Sequence, residues 1–184
     1  VGICFCFLLH KVSKLMKQYG YNDYVRILGG GTLIMCLTVL TGCYDYNGSG
    51  TAVIEQAIAG KAVWYAFLLK MIFTAITLGS GYKGGEIVPS FFIGSTMGCV
   101  VGPLLGLPAS LSAAMGLIGV FCAVVNCPMA SIIMSIELFG SENLPFFAII
   151  CAVSYMLSGP FSLYSSQRIL YSKLEPRYVR QETM

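Results

Sequence analysis

Apolar residues fill most of the chain in blocks that polar or proline-containing turns separate. The blocks cover, approximately, residues 1–10, 24–43, 62–79, 87–107, 111–125, 128–139 and 144–157. A simple membrane-spanning helix needs about 20 apolar residues, and several blocks are shorter than that or contain a proline. These prolines are Pro89, Pro103, Pro108, Pro128 and Pro145. The pattern therefore predicts an all-α integral membrane fold with broken and re-entrant helices, an arrangement typical of transport proteins.

Composition agrees with a membrane location. The chain has 184 residues, of which 57% are hydrophobic and 10% are charged, whereas a soluble domain has about 25% charged residues. The net charge of +3 is small and the bases do not share one face, so no nucleic-acid partner is expected. The eight cysteines lie mostly in apolar blocks without metal-ligand spacing, so neither a metal nor a cofactor is predicted.

Basic residues predict the orientation. They flank the turn between the first two blocks and recur near the C-terminus, at Lys11, Lys14, Lys17, Arg26, Lys173, Arg177 and Arg180. Because such residues collect on the cytoplasmic side, both regions are expected there, in a plasma (inner) membrane protein. Residues 177–184 are read as a cytoplasmic tail. The opening VGICFCFLLH resembles a cut through a hydrophobic helix, so we expect a fragment of a longer protein.

A short polar-to-apolar segment follows the second block, on the side of the membrane away from the cytoplasm. GSGTAVIEQAIAG, residues 48–60, is too short to span a bilayer, so it predicts a re-entrant helix. Ser49 or Thr51 is expected to cap the first amides of this helix.

The stretch GYKGGEIVPSFFIG, residues 81–94, places glycines and a proline inside an apolar region. Pro89 suits the first turn of a helix, where its missing N–H costs nothing. The free amides at a helix start carry the positive end of the helix dipole and can bind an anion. Gly84 and Gly85 would let that anion approach the backbone. A glycine-rich packing turn explains the same residues equally well, so both interpretations stay open.

Three motifs in order resemble the CLC family of chloride channels and chloride/proton antiporters. GSGYKGGEIVPSFFIGSTMGCVVG resembles the stretch that opens an anion-binding half-helix in that family. GLIGVFCAVVNCPMASIIMSIELF resembles the next two helices, and SGPFSLYSSQ resembles the start of the last helix. The resemblance covers nearly the whole chain and implies anion transport rather than enzymatic activity.

The resemblance also implies site residues. Backbone amides at the half-helix start and a tyrosine hydroxyl would contact the ion, at Gly84, Gly85, Glu86, Ile87, Val88 and Tyr164. Glu86 departs from the family, which often has an apolar residue here. A related branch that exports fluoride has an acid in this motif, so chloride and fluoride both remain possible substrates.

The family is built from two inverted repeats, and residues 1–176 resemble the second repeat with its final helix. The serine motif and the gating glutamate belong to the first repeat, so this chain alone is expected to be inactive. Channel and proton-coupled antiporter cannot be separated without them. The small-residue surfaces GLIGVFCAVV and AIICAVSYMLSG predict close helix packing, and the resemblance implies a homodimer surrounded by lipid.

Other polar residues offer weaker alternatives. Ser80 and Lys83 are the one pair from which an intramembrane enzyme could be argued, and the chain has no HExxH or GxSxG motif. Lys70 is expected to snorkel or to pair, and Glu137 to have a structural role near a helix end. A structural half-subunit that assembles with a separately encoded first half is a third reading.

Overall fold

In the part of the chain that the computed structural model describes, eight α-helices precede two short β-strands. The structure describes residues 1–19, 22–164, 167–171, 173 and 178–182. The helices are α1 (Gly2–Tyr19), α2 (Asp23–Thr41), α3 (Thr51–Ile58), α4 (Ala66–Gly79), α5 (Ile87–Leu104), α6 (Ala109–Val125), α7 (Pro128–Phe139) and α8 (Leu144–Leu157). The strands are β1 (Arg168–Tyr171) and β2 (Tyr178–Glu182). Every predicted apolar block contains a helix, which confirms the helical membrane-type fold.

Helix α1 continues well beyond its apolar block. The apolar block ends near residue 10, but the helix runs to Tyr19. Lys11, Lys14 and Lys17 therefore lie on its second half, and Arg26 lies in the first turns of α2. Lysine is a good helix former, and a positive charge is favourable near a helix C-terminus.

Helix α3 is the short helix that the sequence predicts, but its capping differs. Neither Ser49 nor Thr51 caps it, because Gly50 occupies the N-cap with a φ of +70° and no side-chain cap bond forms. The carbonyl oxygen of Gly50 instead accepts bonds from the amides of Val53 and Ile54. Only glycine adopts this left-handed backbone without steric cost. A Cβ on Gly50 would also lie 2.7 Å from the ring of Phe92.

The backbones of α5 and α6 lie so close together that the glycines of α5 at their contact could not carry a side chain. A Cβ on Gly94 would lie 2.4 Å from the carbonyl oxygen of Gly116, and one on Gly98 would lie 2.1 Å from that of Ser112. Gly94, Gly98 and Gly102 are spaced by four residues and share one face of α5. Close backbone approach through small residues is characteristic of helix packing in membranes.

Two apolar clusters surround this helix pair. The first joins α1, α4, α5 and α6 and contains the buried residues Phe5, Cys6, Leu9, Met71, Ala75, Ile93, Val120, Val124 and Leu163. The second joins α6 and α8 and contains Ala114, Leu117, Ile118, Cys122, Phe147 and Cys151. Helix α5 is thereby placed at the centre of the fold.

Helix α2 lies at the periphery, in contrast to α5. These are the two described helices that are long and apolar enough to cross a membrane. Within the best 18-residue window of each, 56% of α5 is buried but only 11% of α2. Leu28, Val39 and Leu40 of α2 are all well exposed, so most of this helix is available to lipid or to protein outside the described fold.

The chain after α8 differs from the expected final helix. The described residues beyond Gly159 contain an antiparallel pair of strands, with Arg168 opposite Glu182 and Tyr171 opposite Tyr178. Isoleucine, valine and tyrosine favour strands. The expectation of a final helix is wrong for this part of the chain, while the boundary at residue 176 stays a prediction.

Candidate functional site

The connection between α4 and α5 is held in place by the first turns of α2. The Nε of Arg26 donates to the carbonyl oxygen of Ser80 at 3.2 Å, and the hydroxyl of Tyr82 donates to the carbonyl oxygen of Ile27 at 2.9 Å. Arg26 also pairs with Asp23 at 3.0 Å. These contacts fix the segment that leads into α5, and therefore the position at which that helix begins.

The start of α5 has no side-chain cap. Glu86 is the N-cap residue, and its side chain makes no capping hydrogen bond. Pro89 lies in the first turn, as the sequence predicts, and is buried. The first N–H groups of a helix lack intrahelical acceptors and carry the positive end of its dipole. The amides of Ile87 and Val88 therefore lie at a helix start that its own N-cap side chain leaves unsatisfied.

The glycines before α5 fall into two kinds. Gly81 has a φ of +97°, a backbone conformation that other residues rarely adopt. A Cβ on Gly85 would meet nothing within 4 Å, and one on Gly84 would contact only the Cδ2 of Leu78, at 3.4 Å. Gly84 and Gly85 are therefore not used for close packing inside this chain, which favours the open approach to the backbone over the packing-turn interpretation.

A cavity of about 620 Å³ borders this helix start. Its walls come from α2, the loop after α2, one face of α4 and the start of α5, with the lining residues Gly31, Ile34, Met35, Tyr46, Asn47, Gly48, Ser49, Lys70, Phe73, Thr74, Thr77, Leu78, Tyr82, Lys83, Gly84, Gly85, Val88 and Pro89. The cavity thus includes Gly84, Gly85 and Val88 of the predicted site, but not Glu86 or Ile87.

Glu86 lies toward α1 instead. It is half-buried and interacts electrostatically with His10, whose Nδ1 is 2.8 Å from the carbonyl oxygen of Cys6. The sequence contains no signal for this proximity, because His10 and Glu86 are far apart in the chain and neither belongs to a motif with the other. It is created by the tertiary packing of α1, which lies mainly against α4.

Tyr164 belongs to a loop that is tied to the end of α6. The amide of Leu163 donates to the carbonyl oxygen of Val124 at 2.9 Å, and the amide of Tyr164 donates to the Oγ of Ser162 at 3.2 Å. The tyrosine side chain is 41% exposed and is not among the residues that line the cavity. Its expected contact with an anion at α5 stays a prediction.

Lys70 is buried rather than snorkelling. Its side chain is 1% exposed, and its Nζ donates to the carbonyl oxygens of Tyr46 at 3.1 Å and Gly48 at 2.7 Å. The same ammonium lies 4.9 Å from the centroid of the Phe92 ring. Snorkelling is therefore wrong for this residue, because backbone carbonyls and an aromatic face hold the charge inside the fold.

The alternative enzymatic pair is not assembled. The Oγ of Ser80 donates to the carbonyl oxygen of Ile76 at 2.6 Å, and the residue is fully buried. A Cβ on Gly30 would lie 1.9 Å from this hydroxyl, so Ser80 packs directly against α2. Lys83 is exposed and lines the cavity, from which Ser80 is absent.

Sequence comparison identifies the family. The profile of the "Voltage gated chloride channel" family matches residues 1–159. The chain belongs to the CLC family. A chloride/fluoride channel protein of Pseudomonas syringae pv. tomato is 37% identical over 178 residues, covering 94% of this chain and 39% of that protein. The H(+)/Cl(-) exchange transporter ClcA of Yersinia pestis is 27% identical over 159 residues, covering 78% of this chain and 33% of that protein.

Structural comparison agrees. The crystal structure of a CLC-type fluoride/proton antiporter matches with a TM-score of 0.85 and 39% sequence identity, over 89% of this chain and 42% of that one. The CLC fold, helical apart from the two short strands near the end, and the family resemblance are thereby confirmed, in a family of integral membrane proteins. The chain spans about two fifths of the length of this structure and of the Pseudomonas relative.

Proposed function

We propose that this chain forms one half of a transmembrane path for a small anion such as chloride. The observation that carries the proposal is the open start of α5. Its first amides have no side-chain cap, and a Cβ placed on the preceding Gly85 would have no atom within 4 Å. The names of its CLC relatives, which include chloride channels and anion/proton exchangers, support the same activity.

The proposed binding group is the backbone. The amides of Glu86, Ile87 and Val88 would face the ion, and Gly84 and Gly85 would leave room for it. Tyr164 would donate its hydroxyl from the loop after α8. Partial charges suit a transported ion, because a site must release its anion as readily as it binds it. No cofactor or metal is needed for binding of this kind.

Fluoride is the second candidate substrate. The Pseudomonas protein, at 37% identity, and the solved antiporter, at 39%, both have fluoride in their names, whereas ClcA, at 27%, is named for chloride. Glu86 in the binding motif agrees with this branch of the family. Both anions therefore belong in any transport assay.

We also propose a homodimer in the plasma (inner) membrane with a cytoplasmic C-terminus. The two small-residue surfaces pack on each other within the chain, since a Cβ on Gly119 of α6 would lie 2.8 Å from the Cγ1 of Ile150 of α8. The large apolar side chains that α7 and α8 leave exposed, Ile133, Ile136, Ile149 and Val153, are the proposed contact with a second copy. Crosslinking in mild detergent should trap a dimer, and finding monomer alone would contradict this.

The transport test is ion efflux from liposomes that contain the intact transporter to which this chain belongs. One electrode records chloride or fluoride and a second records pH, with protein-free liposomes as the control. We expect efflux of at least one anion. Uphill proton movement driven by the anion would identify an antiporter, and efflux without protons a channel. If neither anion moves, the proposed function is wrong. The 184-residue chain alone should be inactive.

A further inference from the structure

The end of helix α6 holds the loop that carries Tyr164. The last carbonyl groups of a helix receive no hydrogen bond from within that helix. Here the carbonyl oxygen of Val124 accepts from the amide of Leu163 at 2.9 Å, and that of Val125 accepts from the Nε2 of Gln167 at 3.4 Å. The loop therefore docks on helix-end groups that need partners in an apolar interior.

Asn126 ends α6 and extends the same contact. It is the C-cap residue and, in the described part of the chain, the one non-glycine residue with a positive φ, at +59°. Glycine is the usual residue in this conformation, so the backbone alone does not require a side chain here. The Nδ2 of Asn126 donates to the carbonyl oxygen of Phe161 at 3.0 Å. Its Oδ1 accepts from the Oγ of Ser158 at 2.9 Å and from the ammonium of Lys173. The buried amide therefore joins α6, the end of α8 and the loop.

Ser162 connects this contact to the backbone of Tyr164. The serine is fully buried, and its Oγ accepts from the amide of Tyr164 at 3.2 Å and donates to the Oε1 of Gln167 at 2.8 Å. Because Gln167 is also bonded to Val125, Ser162 links the tyrosine backbone to α6. The Tyr164 side chain is 41% exposed, so packing covers only part of it. The position of its hydroxyl therefore depends on how firmly the loop is held.

We propose that Asn126 and Ser162 are positioning residues, which hold the hydroxyl of Tyr164 in place to donate to the transported anion. The inference rests on the anion contact proposed above for Tyr164. The two residues act through the tyrosine and do not touch the ion, because their own polar groups are used to hold the loop. A donor that is already in place spares the cost of ordering the loop when the ion binds. Both side chains should therefore matter for anion binding only while the tyrosine hydroxyl is present.

The first test is a double-mutant cycle on the intact transporter, with calorimetric titration of sodium fluoride and of sodium chloride. Asn126→Gly keeps the left-handed backbone and deletes the side chain, whereas Ser162→Ala deletes one hydroxyl and is the milder change. Each should weaken binding by up to about fivefold, the loss that corresponds to one hydrogen bond. In the Tyr164→Phe background neither change should weaken binding further. Ser135→Ala is the matched control, because Ser135 is also fully buried but its Oγ donates within α7, to the carbonyl oxygen of Ile132 at 2.7 Å.

Fluorine NMR gives a second readout that does not require a bound anion. Fluorotyrosine incorporated at position 164 should give the same resonance in the wild-type protein and in Ser135→Ala. In Asn126→Gly and in Ser162→Ala the resonance should shift or broaden, because the loop is no longer held in one position.

The inference is overturned if these resonances are unchanged, or if neither variant weakens anion binding. It is equally overturned if Asn126→Gly and Ser162→Ala weaken binding by the same factor with and without the Tyr164 hydroxyl, since their effect would then not pass through the tyrosine. Absence of anion binding in the wild-type protein would contradict the proposed function instead. The resonances would still decide whether Asn126 and Ser162 position Tyr164.

Discussion

Glycine has opposite roles in two neighbouring regions, the segment before α5 and the middle of α5. Before the helix, Gly85 has nothing within 4 Å of where a Cβ would lie, whereas Gly98 in the middle of the helix has the carbonyl oxygen of Ser112 at 2.1 Å. One glycine leaves backbone open, and the other lets two backbones touch. The difference shows that the role of a glycine depends on the element packed against it. The local sequence does not reveal which element that is.

The largest effect is expected where the packing is tightest. Gly98→Ala should destabilise the protein by about 3 kcal/mol, because the added methyl group meets helix backbone that cannot move aside easily. Chemical denaturation in detergent, followed by circular dichroism, measures this. Gly29→Ala in α2 is the matched control, since a Cβ there would meet nothing within 4 Å, and its stability should be unchanged or slightly higher. Equal stability of both variants would contradict the packing of α5 on α6.

A smaller loss of stability is expected where α2 meets the end of α4, next to the segment that leads into α5. Gly30→Ala would place a Cβ 1.9 Å from the Oγ of Ser80, and should cost about 2 kcal/mol. The obstacle is a side chain, so Ser80→Gly in the same protein should recover part of the loss. The double-mutant cycle should give a favourable coupling energy, and strict additivity of the two changes would argue against this contact.

In the open segment before α5, a substitution should change anion binding rather than stability. Gly85→Ala should change the free energy of unfolding by no more than about 0.5 kcal/mol, because its Cβ meets no atom. The methyl group would, however, enter the space proposed for the anion and weaken binding about tenfold, or 1.4 kcal/mol. Calorimetry with chloride and fluoride measures the affinity. A large loss of stability with unchanged affinity would show that Gly85 is a packing residue.

The smallest effect is expected at the hydroxyl that would complete the site. Tyr164→Phe removes one hydrogen-bond donor and should weaken anion binding by about 1 kcal/mol, with little change in stability. Tyr155→Phe, on α8, is a control that removes a hydroxyl from a residue outside the predicted site. If the affinity of Tyr164→Phe equals that of the wild-type protein for both anions, Tyr164 does not touch the ion.

Hydrophobic patterning was sufficient to predict most of the helices. The blocks at 62–79, 111–125, 128–139 and 144–157 each contain a helix with a nearby end, because apolar runs and prolines act through local backbone geometry and burial. The short α3 was predicted for the same reason. Its cap was predicted at the wrong residue. Gly50 is the N-cap with a φ of +70°, and the ring of Phe92, from a distant part of the chain, leaves no room for a Cβ there.

By itself, then, the sequence determined the helical membrane fold, the start of α5 near Pro89 and the CLC motifs around it, because these depend on neighbouring residues. Tertiary structure alone decided that Lys70 is buried on the carbonyls of Tyr46 and Gly48, and that Glu86 lies near His10. Such contacts join segments that share no local pattern. The energies of these contacts arise only when helices pack and water is excluded, so no single stretch of the chain predicts them.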